Sequence, residues 1–168
     1  MVELERMSAD EMKQASKHPV IIILDDVRSM HNVGSAFRTA DAFAIEAIYL
    51  CGYTSTPPHR DIHKTALGAT ETVNWKHFPT TIEAVNTAKQ AGYTIYSVEQ
   101  VHNSIPLHSF GWNKTDKIAL VFGNEVTGVN DEVVQLSKAC IEIPQFGSKH
   151  SLNISVSIGV VLWELIKP

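Results

Sequence analysis

The pattern of apolar and polar positions predicts strands and helices that follow one another along the chain. Val20 to Leu24 is an unbroken aliphatic run, as expected for a strand buried on both faces of a parallel sheet. From Val33 to Ala44 the apolar residues recur at helical spacing, and Ile45 to Cys51 has the composition of the next strand. This order is typical of an α/β fold with a mostly parallel sheet flanked by helices.

The middle of the chain continues the alternation. Gly52 to Ala69 is rich in Thr, Pro, His and Gly, which predicts a long loop containing a single helical turn. The further predicted elements are a strand over 73–78, a helix over 79–91, a strand over 93–98, a strand over 117–122 and a helix that Asn130 caps.

The beginning of the chain carries a capping box. Ser8 and Glu11 have the spacing of that motif, which predicts a short polar helix ending near Lys17. The chain has 168 residues, the usual size of one domain. We therefore interpret residues 1–18 as a short helical leader and residues 19–168 as a single domain.

The last segment has two interpretations. From Leu152 to Val160 apolar residues alternate with Asn, Ser and Gly, which is the period of a half-buried strand, and the chain then turns apolar on nearly every side. The alternative is one helix from Leu152, capped by Ser151, in which Ser155 and Gly159 lie one turn apart. Periodicity alone favours a strand that turns into a buried helix.

Composition narrows the class of protein. Hydrophobic residues make up 44% and charged residues 19%, and the longest aliphatic run is too short for a signal peptide or a membrane span. We therefore expect a cytoplasmic protein without membrane association. Cys51 and Cys140 both fall in apolar stretches, which predicts buried, reduced thiols. The net charge of −4 disfavours binding to nucleic acid unless Lys and Arg cluster on one face.

The first of three candidate motifs covers residues 32–41. The apolar stripe of the predicted helix leaves Arg38 off the buried face, and Gly34, one turn earlier, leaves its guanidinium unshielded. A fixed cation there can hold a phosphate, or an oxygen that is gaining negative charge. The alternative is a surface arginine paired with Asp41.

The second and third motifs each follow a predicted strand. In residues 122–128, Gly123 and Gly128 bracket Glu125 where open α/β sheets place ligand crevices, although a tight turn also needs glycines. Residues 143–155 run from the end of a strand through a polar loop into the last segment. If a helix starts there, its N-terminus would favour an electron-rich ligand group. The alternative is that the polar residues simply cap the helix.

Other candidate sites are weaker. His59 and His63 have the spacing of metal ligands on a helix, but neither Glu nor Cys completes the set. A nucleotide enzyme of the Rossmann type is disfavoured because the sequence contains neither a Walker loop nor a complete G-x-G-x-x-G.

Taken in this order, the three motifs resemble those of the SpoU family of RNA ribose methyltransferases, in the SPOUT superfamily. The likeness extends over roughly residues 20–166, and the segment 64–69 also resembles a family segment. The matching positions are Asn32, Gly34, Arg38, Gly123, Glu125, Gly128, Ile143, Pro144, Gly147, Ser151, Leu152, Asn153 and Ser155.

The resemblance implies a fold and a cofactor. The C-terminal part would form a deep trefoil knot that holds S-adenosylmethionine, next to a homodimer interface, and residues from Leu152 onward would be helical. Cofactor contacts would be made, largely by backbone groups, at Val98, Gly123, Ile143 and Leu152. The product would be S-adenosylhomocysteine, and we expect no metal.

The resemblance also implies a reaction: methyl transfer to a ribose 2′-hydroxyl. Arg38 stays protonated, which suits it to stabilise the alkoxide and an adjacent phosphate rather than to act as a base. Asn32, Glu125 and Asn153 would orient the ribose, and Ser151 would cap the last helix.

The acceptor is RNA rather than DNA, because only RNA has that hydroxyl. We expect tRNA ahead of ribosomal RNA, since tRNA presents shape as well as sequence. The candidate RNA contacts are Arg28, Arg60, Lys64 and Lys149. The rival hypothesis is a SPOUT-like dimer that binds RNA without catalysis.

Overall fold

The computed structural model describes residues 8–148 and 151–168. The seven strands are β1 (His18–Asp25), β2 (Ile45–Cys51), β3 (Asn74–Phe78), β4 (Thr94–Val98), β5 (Ile105–Pro106), β6 (Ile118–Phe122) and β7 (Ala139–Glu142). The helices are α1 (Ala9–Gln14), α2 (Met30–Ala42), α3 (Arg60–Ala66), α4 (Thr81–Gln90), α5 (Asp131–Leu136) and α6 (Ile154–Ile166), with one 3₁₀ turn over Leu107–Ser109.

The strands form one sheet in the order β3-β2-β1-β6-β4-β7-β5, and every pair of neighbouring strands is parallel. The predicted α/β class with a parallel sheet flanked by helices is confirmed. Since all strands run the same way, the loops that follow them meet at one edge of the sheet, where ligand crevices form in open α/β folds.

Alternate residues of the central strand β1 enter two different cores. Val20, Ile22 and Leu24 pack with Phe37 of α2 and Ile158 of α6 on one face of the sheet. On the other face, Ile21 and Ile23 pack with residues of α4 and α5. Burying each large aliphatic side chain stabilises the fold by about 1.5–3 kcal/mol, so an unbroken aliphatic run is what this position requires.

Helices α2 and α3 approach each other through Gly34. A Cβ added at this glycine would lie 2.1 Å from Thr65 Oγ1 and 2.3 Å from the Ile62 carbonyl oxygen. Gly34 therefore lies against α3. Its missing side chain makes room for α3, a helix of seven residues where we predicted a single turn.

The capping box is confirmed, because the Ser8 side chain accepts from the Glu11 N–H and the Glu11 side chain accepts from the Ser8 N–H. The helix ends at Gln14 rather than near Lys17, since the chain must extend to enter β1. His18, the last residue assigned to the leader, is already the first residue of β1.

The strand interpretation of the last segment is wrong. Residues 154–166 form a single helix, α6, as the family resemblance implied. Its N-cap is Asn153 rather than Ser151, because the Asn153 side chain accepts from the Ser155 N–H. Cys51 and Cys140 are buried and unpaired, as predicted.

Candidate active site

A cleft of about 580 Å³ opens at the carboxyl ends of the middle strands. Val98 ends β4 and Phe122 ends β6, and both lie in its wall together with Ile141 near the end of β7. The other walls are the loop over residues 123–128 and the segment that enters α6. The volume is in the range of sites that bury a small ligand.

Most of the predicted site residues meet in this cleft. The four residues expected to contact the cofactor, Val98, Gly123, Ile143 and Leu152, all line it. The polar candidates Glu125, Ser151 and Asn153 line it as well. Since these residues lie up to 55 positions apart in the sequence, it is the sheet edge that brings them together.

Three polar side chains form a hydrogen-bonded chain at the mouth of the cleft. Asn153 Nδ2 donates to Asn32 Oδ1 over 3.3 Å, and Asn32 Nδ2 donates to Glu125 Oε1 over 2.7 Å. Asn153 Oδ1 also accepts from the N–H of Ser155, over 2.9 Å, in the first turn of α6. Every donor and acceptor is therefore oriented in one direction, from the helix N-terminus to the Glu125 carboxylate.

The loop that carries Glu125 is held by its own residues. Asn124 Oδ1 accepts from the N–H groups of Val126 and Thr127, over 3.0 and 2.9 Å. A Cβ on Gly123 would lie 2.0 Å from the carbonyl carbon of Gly128, whose φ of +71° favours glycine. Both glycines are required for the loop to close. The tight turn considered as an alternative for this motif and the wall of the cleft are therefore formed by the same residues.

Arg38 lies apart from the hydrogen-bonded chain. It is exposed on α2 and is absent from the described cleft lining. The ion pair with Asp41 that we considered is not among those formed by residues 8–148 and 151–168. Asp41 accepts a hydrogen bond of 2.5 Å from Thr72 Oγ1 instead, and Arg38 is exposed.

The candidate RNA contacts differ in their surroundings. Arg28 and Arg60 are exposed; Arg28 lies in the loop between β1 and α2, and Arg60 begins α3. Lys64 forms an ion pair with Asp61, in which Nζ and Oδ1 are 2.8 Å apart. Lys149 lies outside the described residues.

Several cleft residues escaped the sequence analysis. Glu99, Gln100, Asn124 and Glu142 line the cleft beside the predicted residues. Glu99 directly follows the end of β4, so the rule that ligands bind at the carboxyl edge of a parallel sheet could have identified it. In the described part of the chain, groups of three or more His, Cys, Asp or Glu suited to a metal ion are absent. Likewise, none of its helices is both long and apolar enough to cross a bilayer.

The chain is similar in sequence to proteins named as RNA methyltransferases. The chain is 32% identical over 155 residues to the 23S rRNA (guanosine-2'-O-)-methyltransferase RlmB of Neisseria meningitidis serogroup B, covering 92% of this chain and 61% of that protein. It is 27% identical over 162 residues to the tRNA (guanosine(18)-2'-O)-methyltransferase of Thermus thermophilus, covering 96% of this chain and 81% of the relative.

Solved structures give the same result. The AdoMet-bound rRNA methyltransferase from Sinorhizobium meliloti superimposes with a TM-score of 0.80 at 26% identity, over 91% of this chain and 58% of that one. This chain thus spans about three fifths of some of its relatives. The sequence profile of the SpoU rRNA Methylase family matches residues 19–163. Because that match covers most of the sequence, the chain belongs to the SpoU rRNA Methylase family.

Proposed function

We propose that this protein transfers a methyl group from S-adenosylmethionine to a ribose 2′-hydroxyl of RNA. The observation that carries the proposal is that the hydrogen-bonded side chains of Asn153, Asn32 and Glu125 adjoin the cleft. A cofactor in the cleft and a ribose at its mouth would then share one set of polar groups. Relatives named as 2′-O-methyltransferases of rRNA and tRNA support this chemistry.

The cleft suits the cofactor in size and in lining. Its apolar side chains, Val98, Ile143 and Leu152, alternate with polar groups of the two loops. This mixture fits a ligand with a flat adenine ring, a ribose and a charged amino acid end. When bound, S-adenosylmethionine would supply a methyl carbon for in-line attack by the 2′-oxygen; the bond from sulfur to that carbon would break, and S-adenosylhomocysteine and the hydroxyl proton would be released.

The polar residues would position the ribose and stabilise charge. Asn32 Nδ2 donates a hydrogen bond to Oε1 of Glu125. Oε2 of Glu125 could then accept a hydrogen bond from a ribose hydroxyl. Arg38 follows Asn32 by six residues, about 9 Å along the axis of α2, and its long side chain would reach the phosphate next to that ribose. It would also stabilise the negative charge that develops on the attacking oxygen.

The RNA would be held by phosphate contacts around the mouth of the cleft. Exposed Arg28 and Arg60 are the leading candidates, with Lys64 and Lys149 in support. We propose tRNA ahead of ribosomal RNA, because a folded tRNA offers shape to a protein of net charge −4. Two buried, unpaired cysteines fit a cytoplasmic enzyme.

A second copy of the chain would complete the assembly. Val156, Val160 and Trp163 are exposed at helical spacing on one side of α6, where they form an apolar stripe. A stripe of this kind is typical of a protein interface. The trefoil knot also belongs to this proposal, and the return of the chain from β7 to α6 beside α2 is compatible with it.

The first experiment compares nucleosides from a deletion strain with those of its parent by mass spectrometry, in tRNA and ribosomal RNA separately. Loss of one 2′-O-methylnucleoside from either pool is the expected result, and the pool that changes identifies the substrate. Unchanged pools would support the rival function, a dimer that binds RNA without catalysis.

A second test separates the roles of charge and shape at Arg38. Arg38→Lys keeps the positive charge but loses the planar pair of donors. We expect complementation with this variant to restore less than about a tenth of the methylation rate, because a two-point contact to an oxyanion is lost. Near-complete activity would contradict the proposed role of the guanidinium.

A further inference from the structure

Glu99 ties two walls of the cleft together. This residue follows the end of β4, and its carboxylate accepts two backbone hydrogen bonds. Oε2 accepts from the Val129 N–H over 2.9 Å, and Oε1 accepts from the Gln100 N–H over 3.0 Å. Val129 ends the turn that carries Glu125, so one side chain joins the β4 wall to the loop wall.

The same carboxylate packs against the turning point of that loop. A Cβ added at Gly128 would lie 2.3 Å from Glu99 Oε2, so the carboxylate occupies the space that any other residue 128 would need. Gly128 in turn contacts Gly123, and its N–H donates to the Asn124 carbonyl over 3.1 Å. Movement of Glu99 would therefore release the base of the loop that presents Glu125.

We propose that Glu99 is a positioning residue for the reaction. It holds the loop over residues 123–129 closed, and so sets both the shape of the cofactor cleft and the placement of Glu125. The inference rests on the proposed function, because it assumes that the cleft receives S-adenosylmethionine. Hydrogen bonds from backbone N–H groups to an ionised carboxylate are stronger than those between neutral groups, which suits a side chain that must fix a loop.

A competing explanation is that Glu99 acts only through its charge. The cofactor is a sulfonium cation, and a carboxylate in the cleft wall would attract it from a distance. Glu142 separates the two explanations, because it lines the same cleft but its Oε2 accepts from Ser104 Oγ rather than from the loop. Glu99→Gln and Glu142→Gln thus remove the same charge, and only the first disturbs the Val129 contact.

The experiment measures binding of S-adenosylmethionine and of S-adenosylhomocysteine, which lacks the sulfonium charge, by calorimetry, together with hydrogen exchange at the Val129 amide. Glutamine has a single acceptor oxygen, so Glu99→Gln can satisfy only one of the two N–H groups. We expect it to weaken both ligands equally, by about tenfold, and to speed exchange at Val129. With Glu142→Gln, exchange at Val129 should stay at the wild-type rate.

The activity of Glu99→Gln gives the second readout. We expect kcat to fall while KM for RNA stays near the wild-type value, since the proposed phosphate contacts Arg28 and Arg60 lie outside the loop. If Glu99→Gln does not fold, Glu99→Asp keeps the charge but is one methylene shorter, so it should withdraw the carboxylate from the Val129 N–H and again speed exchange there.

Two results would overturn the proposal. In the first, both glutamine variants lower the affinity for S-adenosylmethionine alone, which would mean that Glu99 acts only through its charge. In the second, Glu99→Gln leaves ligand affinity and Val129 exchange unchanged. Because these readouts do not require methyl transfer, wild-type protein that binds the cofactor but modifies no RNA would refute the proposed function separately.

Discussion

Asn32 uses both ends of one side-chain amide, which makes it the residue on which the site depends most directly. Its Nδ2 donates to Glu125 and its Oδ1 accepts from Asn153. A carboxamide carries its donor and its acceptor on two different atoms, so it can serve two partners at once. Replacement by aspartate keeps the shape and removes the donor.

We expect Asn32→Asp to lower kcat by about 10- to 100-fold at pH 8, because a second carboxylate would then face Glu125. Two carboxylates at this distance raise the pKa of one of them. As the pH falls, the introduced carboxyl group would bind a proton and could then donate a hydrogen bond to Glu125, as the asparagine does.

The measurement is the ratio of variant to wild-type kcat between about pH 8 and pH 6, and this ratio should rise as the pH falls. Asn32→Ala is the control, since it has no group to protonate and its ratio should stay flat. A flat ratio for both variants would show that the donor to Glu125 does not limit the reaction.

At this scale the motifs predicted the participants but not their contacts. Asn32, Glu125 and Asn153 were grouped by family resemblance, whereas their order in the hydrogen-bonded chain follows from the folded geometry. Glu99 belongs to none of the three motifs, because its task is to bind backbone N–H groups that come from a distant part of the chain.

Among the elements, α6 combines a structural and a chemical role at its N-cap. Asn153 Oδ1 caps the helix and its Nδ2 donates to Asn32. Helix caps contribute about 1 kcal/mol to stability, and acidic residues are also effective caps because of the helix dipole.

Two substitutions separate these roles. Asn153→Asp keeps the cap and removes the donor, so we expect wild-type thermal stability with kcat reduced about tenfold. Asn153→Ala removes both, and it should lower the free energy of unfolding by about 1 kcal/mol as well. Thermal melts and initial rates on the same preparations provide the comparison. Equal activity of Asn153→Asp and wild type would mean that the helix cap is the whole role of Asn153.

The strand-like pattern of α6 has a physical explanation. Ile154 and Ile158 face the core, whereas Val156 and Val160 lie on the opposite, exposed side. A helix that is apolar on two opposite faces shows the same two-residue alternation as a half-buried strand. Aliphatic strands buried on both faces, such as β1, carry no such ambiguity and were predicted directly.

For the molecule as a whole, the exposed stripe on α6 predicts a dimer. Val160→Glu would place a charge in the middle of the proposed interface, where it could not be hydrated or paired. We expect the wild-type protein to sediment as a dimer at micromolar concentration and Val160→Glu to sediment as a monomer.

Leu67→Glu is the matched control, since Leu67 is an exposed leucine at the end of α3 and is remote from the stripe in sequence. It should leave the sedimentation coefficient at the wild-type value. A wild-type monomer, or a Val160→Glu dimer, would remove α6 as the interface.

The hydrogen bond between Asn32 and Asn153 also determines when the site can exist during synthesis. Val20 of β1 pairs with Ile118 of β6, about 100 residues later in the sequence. The centre of the sheet therefore cannot form until that later segment has been synthesised. Asn153 leaves the ribosome later still. A nascent chain therefore carries Asn32 without a complete site until Asn153 has been synthesised.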